Sequence, residues 1–302
     1  MEYPNGWTVY PEKQNIKIEN KGDAQTVVFS VIPPKNQSEG SIKPMVNLDG
    51  KFYSKELVEI DYNHIPYQTV YLPSESKIVR LDIKKRGNNI GYIEGAGDVV
   101  PESLRQIGYN VTIIKPEQIT ADNLQDFDGI VVGIRAYNIL DELKFKQKHI
   151  LEYVSNGGNL IVQYNTNRRL KVDNIAPYEL QLSRDRVTDE NAKMTILEPN
   201  HPLLNFPNKI TEKDFDGWVQ ERGLYFPNKW GKEFTALFAA NDKNEDSKKG
   251  SLLIAKYGKG NYIYTGLSFF REFPAGVSGA YRLFANMLSA GKESIPNKEF
   301  KK

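Results

Sequence analysis

The chain has 302 residues, of which 39% are hydrophobic and 26% charged, enough for two packed cores and ordinary for a globular protein. Forty Lys and Arg stand against 38 Asp and Glu, a net charge of +2 too balanced to draw the chain onto nucleic acid or anionic lipid. No apolar run is long enough for a membrane span, and zero cysteines exclude disulfides, thiolate metal sites and cysteine nucleophiles.

From Asn15 to Ile83 short runs of period near two, such as Thr26–Ile32, Glu56–Ile60, Gln68–Leu72 and Lys77–Ile83, alternate with turn formers such as Asp49-Gly50 and Pro73-Ser74. An all-β, immunoglobulin-like sandwich over residues 1–86 is expected, with a further strand at Ile16–Ile18. Lys84-Lys85-Arg86-Gly87 is a charged hinge. Beyond it, Asn89–Ile93, Asn110–Ile114, Asp128–Gly133 and Asn159–Gln163 read as buried strands. They alternate with helices over Val99–Ile107 and Phe145–Ser155. This spacing predicts an α/β, flavodoxin-like doubly wound domain over 87–291. A polar, irregular insertion is expected at about 166–246, with weak strands at Lys193–Leu197 and Thr235–Ala239. A hairpin at Ser251–Thr265, a closing helix at Val277–Leu288 and a flexible tail at 292–302 complete the reading.

Ligands of open parallel sheets gather at the carboxyl ends of the strands, so those loops supply the candidates. They are Glu94 and Asp98 after the first strand, Arg135 and Tyr137 after the third, and Gln163 and Asn165 after the fourth. Gly95 and Gly97 begin a dinucleotide-like loop, but Val100 replaces its third glycine and the carboxylates of Glu94 and Asp98 would repel a pyrophosphate. Asp98 also serves as a helix cap. The fourth strand ends where a nucleophile elbow would carry Cys or Ser, and Gln163-Tyr164-Asn165 offers neither. His64, His149 and His201 have no metal-ligand spacing, so no metal or cofactor is expected.

The insertion adds Arg184, Asp185, Asp216, Trp218, Glu221 and Arg222, a mixture of guanidinium, carboxylate and indole that suits a hydroxyl-rich ligand or, equally, a salt-bridge network pinning a loop. Three functions remain open. One is a non-catalytic segment that binds carbohydrate or scaffolds a partner. The second is a hydrolase or lyase with Glu94 or Asp185 as base and Arg135, Arg184 or Arg222 stabilising an anion. The third is an interaction module recognisable by a cleft filled with its own side chains and an exposed apolar face.

The strings Asn63-His64-Ile65-Pro66, Gly91–Asp98, Gly133–Asn138, Gln163–Asn167, Leu182–Thr188, Asp214–Pro227 and Tyr264–Phe270 resemble the C-terminal region of bacterial PIG-L-type (LmbE-like) N-acetylglucosaminyl deacetylase proteins. The second domain is similar to the class I glutamine amidotransferase-like, ThuA-like superfamily, with His201-Pro202 and a later Gly258-Lys259-Gly260. The deacetylase zinc motif is missing. The resemblance therefore implies an accessory segment, a deacetylase domain of the same precursor as partner, a carbohydrate ligand, and a periplasmic or extracellular location.

Overall fold

A computed structural model describes residues 1–292, so the tail expected at 292–302 lies, past its first residue, outside the described residues. The chain divides into two compact units, Met1–Asp82 and Ile83–Lys302.

The first unit contains β1 (Thr8–Tyr10), β2 (Ser30–Ile32), β3 (Ser38–Ile42), β4 (Val46–Leu48), β5 (Lys51–Tyr53), β6 (Lys55–Ile60), β7 (Gln68–Pro73) and β8 (Ser76–Arg80). They pair as four antiparallel ribbons, β1 with β2, β3 with β8, β4 with β5 and β6 with β7. The two facing sheets of a sandwich are not among these pairings, and Ile16–Ile18 forms no strand. Burial gives the reason. Trp7 and Val9 are the unit's buried apolar side chains among the described residues, while Tyr10, Val28, Phe52 and Tyr71 are each at least 66% exposed. Alternation is present in the sequence, but in β7 all six positions face solvent, so period two selects no inner face.

The second unit follows the expected alternation closely. In chain order it has β9 (Asn89–Ile93), α1 (Val100–Gln106), β10 (Asn110–Ile113), α2 (Ala121–Leu124), β11 (Gly129–Val132), α3 (Ala136–Ile139), α4 (Leu143–Ser155) and β12 (Asn159–Val162). There follow β13 (Leu180–Val187), β14 (Thr195–Ile196), α5 (Pro202–Asn205), β15 (Gly223–Trp230), β16 (Phe234–Ala236), β17 (Phe238–Ala239), β18 (Leu252–Tyr257), β19 (Gly260–Thr265), α6 (Phe269–Glu272) and α7 (Ser278–Ser289). The main sheet has seven strands in the order β10-β9-β11-β12-β19-β18-β16. The first five are parallel. Numbered among themselves in chain order, these five run 2-1-3-4-5, the flavodoxin-like order, and β18 and β16 extend the sheet antiparallel.

Continuous apolar runs make these strands. All four residues of β11, of β12 and the last four of β9 are buried, as expected of strands covered on both faces. The insertion is more regular than expected: β13 and β15 form a long antiparallel ribbon, broken by register shifts between Gln181 and Leu182, Leu182 and Asp185, and Asp185 and Val187. The weak strands shrink to β14 and to β16 with β17. Among the described residues no helix is long and apolar enough to cross a membrane.

Candidate functional site

The order 2-1-3-4-5 places the topological switch point between β9 and β11, so the loops after Ile93 and Val132 should border any ligand crevice. Here they are stitched together. The Ala96 amide donates to the Ile134 carbonyl at 2.8 Å. Gly95 lies so close that a Cβ there would stand 2.0 Å from the same oxygen. Beneath this seam the Tyr92 hydroxyl donates to Asp98 at 2.7 Å and accepts from Gln163 Nε2 at 2.9 Å. Asp98 also takes the Val100 amide at 2.9 Å, which ties down the loop; the N-cap position of α1 itself falls to Val99, with no side-chain cap, and not to Asp98 as the sequence suggests. Burial raises the pKa of Asp98 and holds that of Tyr92 well above its usual value.

The empty elbow at the end of β12 is equally occupied by structure. Asn165 is 0% exposed; its Oδ1 accepts from the Tyr137 amide and its Nδ2 donates to the Gln163 carbonyl, both at 2.9 Å. Tyr137 is itself core, with its hydroxyl donating to Gln147 at 2.6 Å. Tyr164 is 8% exposed because Tyr225 stacks on it at 6.2 Å and Phe270 covers another side at 5.4 Å. The Arg135 amide donates to the Tyr164 carbonyl at 2.9 Å, and Arg135 holds a left-handed φ of 57°. Tyr225 and Gln220 share that unusual region, at 53° and 67°. Three non-glycine residues in this conformation around one tyrosine show tertiary packing overriding backbone preference.

The rim of this filled cleft is charged. Glu221, 3% exposed, accepts from Arg186 at 2.8 Å and from Arg271 at 3.1 Å. Arg271 also bonds Gln220 and stacks on Phe270 at 5.0 Å. Both guanidinium groups are partly exposed, and each oxygen of their shared carboxylate is engaged by one of them.

The remaining sequence candidates scatter. Trp218, expected to cover a sugar, is 3% exposed: its indole packs on Phe215 and Phe269, and Nε1 donates to the Asp214 carbonyl. Arg222 is also interior, donating from Nε to the Ala192 carbonyl at 3.0 Å and lying 5.8 Å from the Phe215 and Trp218 rings. Burial lowers its pKa. Arg184 and Asp216 are exposed, and Glu94 is exposed with no ion pair among the described residues. Asp185 lines a separate hollow beside β15. His201 starts α5, where its Nδ1 accepts the Leu203 amide at 3.1 Å. Thus Arg135 and Glu221 border the strand-end cleft through Tyr164, whereas Arg184 and Asp185 leave it. Tyr225 and Glu272 were not singled out by sequence as ligand residues, whereas Phe270 and Arg271 belong to the segment Gly266–Arg271, which follows the hairpin and is a strand-end candidate by sequence.

Asn165→Ala is expected to cost on the order of 2 kcal/mol, since it leaves the buried Tyr137 amide and Gln163 carbonyl without these partners. Chemical denaturation at neutral pH measures it. A change within about 0.5 kcal/mol would show that the elbow is not held in this way.

No protein-family model matches the chain, and no curated protein matches it. Solved structures do. A GMP synthase component from Thermoplasma acidophilum aligns at 12% identity and a TM-score of 0.45, covering 70% of this chain and 98% of its own. PurLQS from Thermotoga maritima aligns at 11% and 0.43, covering 68% and 99%. A ThuA-like protein from Bacteroides uniformis aligns at 13% and 0.39, covering 69% and 91%. Similarity at this level transfers no chemistry.

Proposed function

We propose that this chain is a non-catalytic accessory segment of a PIG-L-type deacetylase protein, which binds carbohydrate or scaffolds the catalytic domain. The observation that carries the reading is the closed state of the strand ends. The switch-point loops are joined backbone to backbone, Asn165 is spent on backbone groups, and Tyr164 is covered by Tyr225 and Phe270. A hydrolase or lyase needs its base and its cationic groups to converge on open space within hydrogen-bonding reach. Glu94 and Asp185 lie in different places, and the Arg271 and Arg186 charges are committed to Glu221.

The carbohydrate version draws on the polar and aromatic composition of residues 180–250 and on the resemblance of the sequence strings given above to the deacetylase proteins. The scaffolding version draws on the exposed apolar side chains of the first unit. Incubating the protein with N-acetylglucosamine-containing oligosaccharides, while following retention, acetate release and new reducing ends together, tests the reading. Retention without turnover is expected. Turnover that Glu94→Gln or Asp185→Asn abolishes would overturn it.

A further inference from the structure

Among the described residues of the second unit, two hollows lie away from the carboxyl ends of β9, β11 and β12. One, of about 490 Å³, sits near the start of β19 at Asn261, between Leu203, Ile254 and Ala290. The other, of about 620 Å³, lies between the β13–β15 ribbon and the loop 241–249, and has the more polar walls. Asp185, Asn228, Trp230, Asn244 and Lys249 are among its lining.

This second hollow is built from several independent constraints. The ribbon's register shifts on both sides of Asp185, and bulges of this kind re-aim a side chain. Ser183 fixes the irregularity: its hydroxyl donates to the Phe226 carbonyl at 2.7 Å and accepts the Asp185 amide at 2.8 Å. The loop is anchored by Ala240 and Lys248, whose amides and carbonyls exchange hydrogen bonds at 3.0 and 2.8 Å. Lys248 further ties its ammonium to Glu245 at 2.6 Å and to the Asp246 carbonyl at 3.2 Å. Gly250 brings the loop's end against the ribbon, where a Cβ would stand 2.0 Å from the Pro227 carbonyl. Trp230 is half-buried: it packs against the hydrophobic core and also lines the hollow.

We propose that this hollow binds a neutral saccharide unit, its apolar face on the Trp230 indole and its hydroxyls on the Asp185 carboxylate and the Asn228 and Asn244 amides. The inference rests on the carbohydrate version of the function above and gives it a different address from the strand ends. Among the described residues, no hydrogen bond or ion pair engages those three polar side-chain groups, so their hydrogen-bonding capacity is available. Planar carboxylate and amide groups match adjacent hydroxyls, and an indole fixed from behind provides apolar area at little entropic cost. The volume falls in the range of small-ligand sites. Charge disfavours an anionic ligand. Lys248 is paired with Glu245, and the remaining Lys249 is offset by Asp185 and Asp246, so the walls carry no cationic excess.

Titration of the protein with cellobiose and with N,N′-diacetylchitobiose, followed by calorimetry and tryptophan fluorescence, tests the proposal. Trp7 and Trp218 are 8% and 3% exposed, so a sugar-induced emission change should come from Trp230. Binding of either disaccharide is expected, with the emission change lost in Trp230→Phe. Asp185→Asn and Asn228→Ala should each weaken binding about tenfold through one lost hydrogen-bonding group. These two variants alter open side chains and keep the test valid if Trp230→Ala does not fold. A disaccharide that binds with unchanged affinity to Trp230→Ala, Asp185→Asn and Asn228→Ala would overturn this site and leave the accessory reading standing. Absence of binding by either sugar, and by the wider oligosaccharide set used above, would overturn the carbohydrate reading itself.

Discussion

Trp218→Ala is expected to cost the second unit about 3–5 kcal/mol while leaving sugar affinity unchanged in whatever fraction remains folded. The indole sits 5.3 Å from the Phe215 ring and 5.8 Å from that of Phe269, and Arg222 lies 5.8 Å away. Truncation opens a cavity at this cluster and removes the donor that satisfies the Asp214 carbonyl at 3.0 Å. The Arg222 guanidinium, already disfavoured by burial, loses one of its two aromatic neighbours. Denaturant unfolding at fixed pH measures the cost. A loss below about 1 kcal/mol combined with lost sugar binding would mean that the indole meets ligand and not core.

Glu272→Gln is expected to stabilise the protein above pH 7 by as much as roughly 3 kcal/mol and to change little near pH 4. Glu272 is 0% exposed, and burial lifts its pKa from 4.5 to about 7. Opposing that lift, the Val219 amide donates to Oε2 at 3.0 Å, the Ser268 hydroxyl faces Oε1 at 3.3 Å, and the charges of Arg222 and Arg271 act on the carboxylate. The sign follows from the direction. A carboxyl whose folded pKa lies above its unfolded one favours folding fully below pH 4.5, and that advantage is lost as pH rises through about 7. A glutamine amide keeps an acceptor for Val219 and a donor for Ser268 Oγ without ionising. Urea unfolding of wild type and variant at pH 4, 6 and 8 measures the difference, and parallel pH profiles would contradict it.

The parallel sheet was legible because its strands are covered on both faces. Gly129–Val132 and Asn159–Val162 are short apolar runs bounded by turn residues, and each becomes a fully buried strand. The β13–β15 ribbon was hidden for the opposite reason. Bulges around Asp185 and the three successive charges Arg184, Asp185 and Arg186 disrupt its period, while Pro227 and the left-handed Tyr225 disguise β15. In the first unit the alternation was visible, but in β7 it describes a strand exposed on both sides, so there it did not select an inner face.

At the site, residue type did not reveal which polar side chains would be taken into the interior. Trp218 and Arg222 occur in a polar string, Asp214 to Arg222, but the neighbouring Phe215 and the later Phe269 take the indole and guanidinium inside. Trp230 stands in a plainer context, and the hollow beside it depends on a loop well further along the chain, which no local pattern reveals. Ser268 and Glu272 are spaced by one helical turn, a signal that was present and bears on stability.

The location of a bound sugar tests the central claim most directly, because it separates strand ends that are closed from a ligand site placed elsewhere. A crystal structure of the protein saturated with whichever disaccharide binds should show the sugar against Trp230 and Asn228, with Ala96 still bonded to Ile134 and Tyr164 still covered by Tyr225. Sugar density among Glu94, Arg135 and Tyr225, with the loops after β9 and β11 drawn apart, would contradict it.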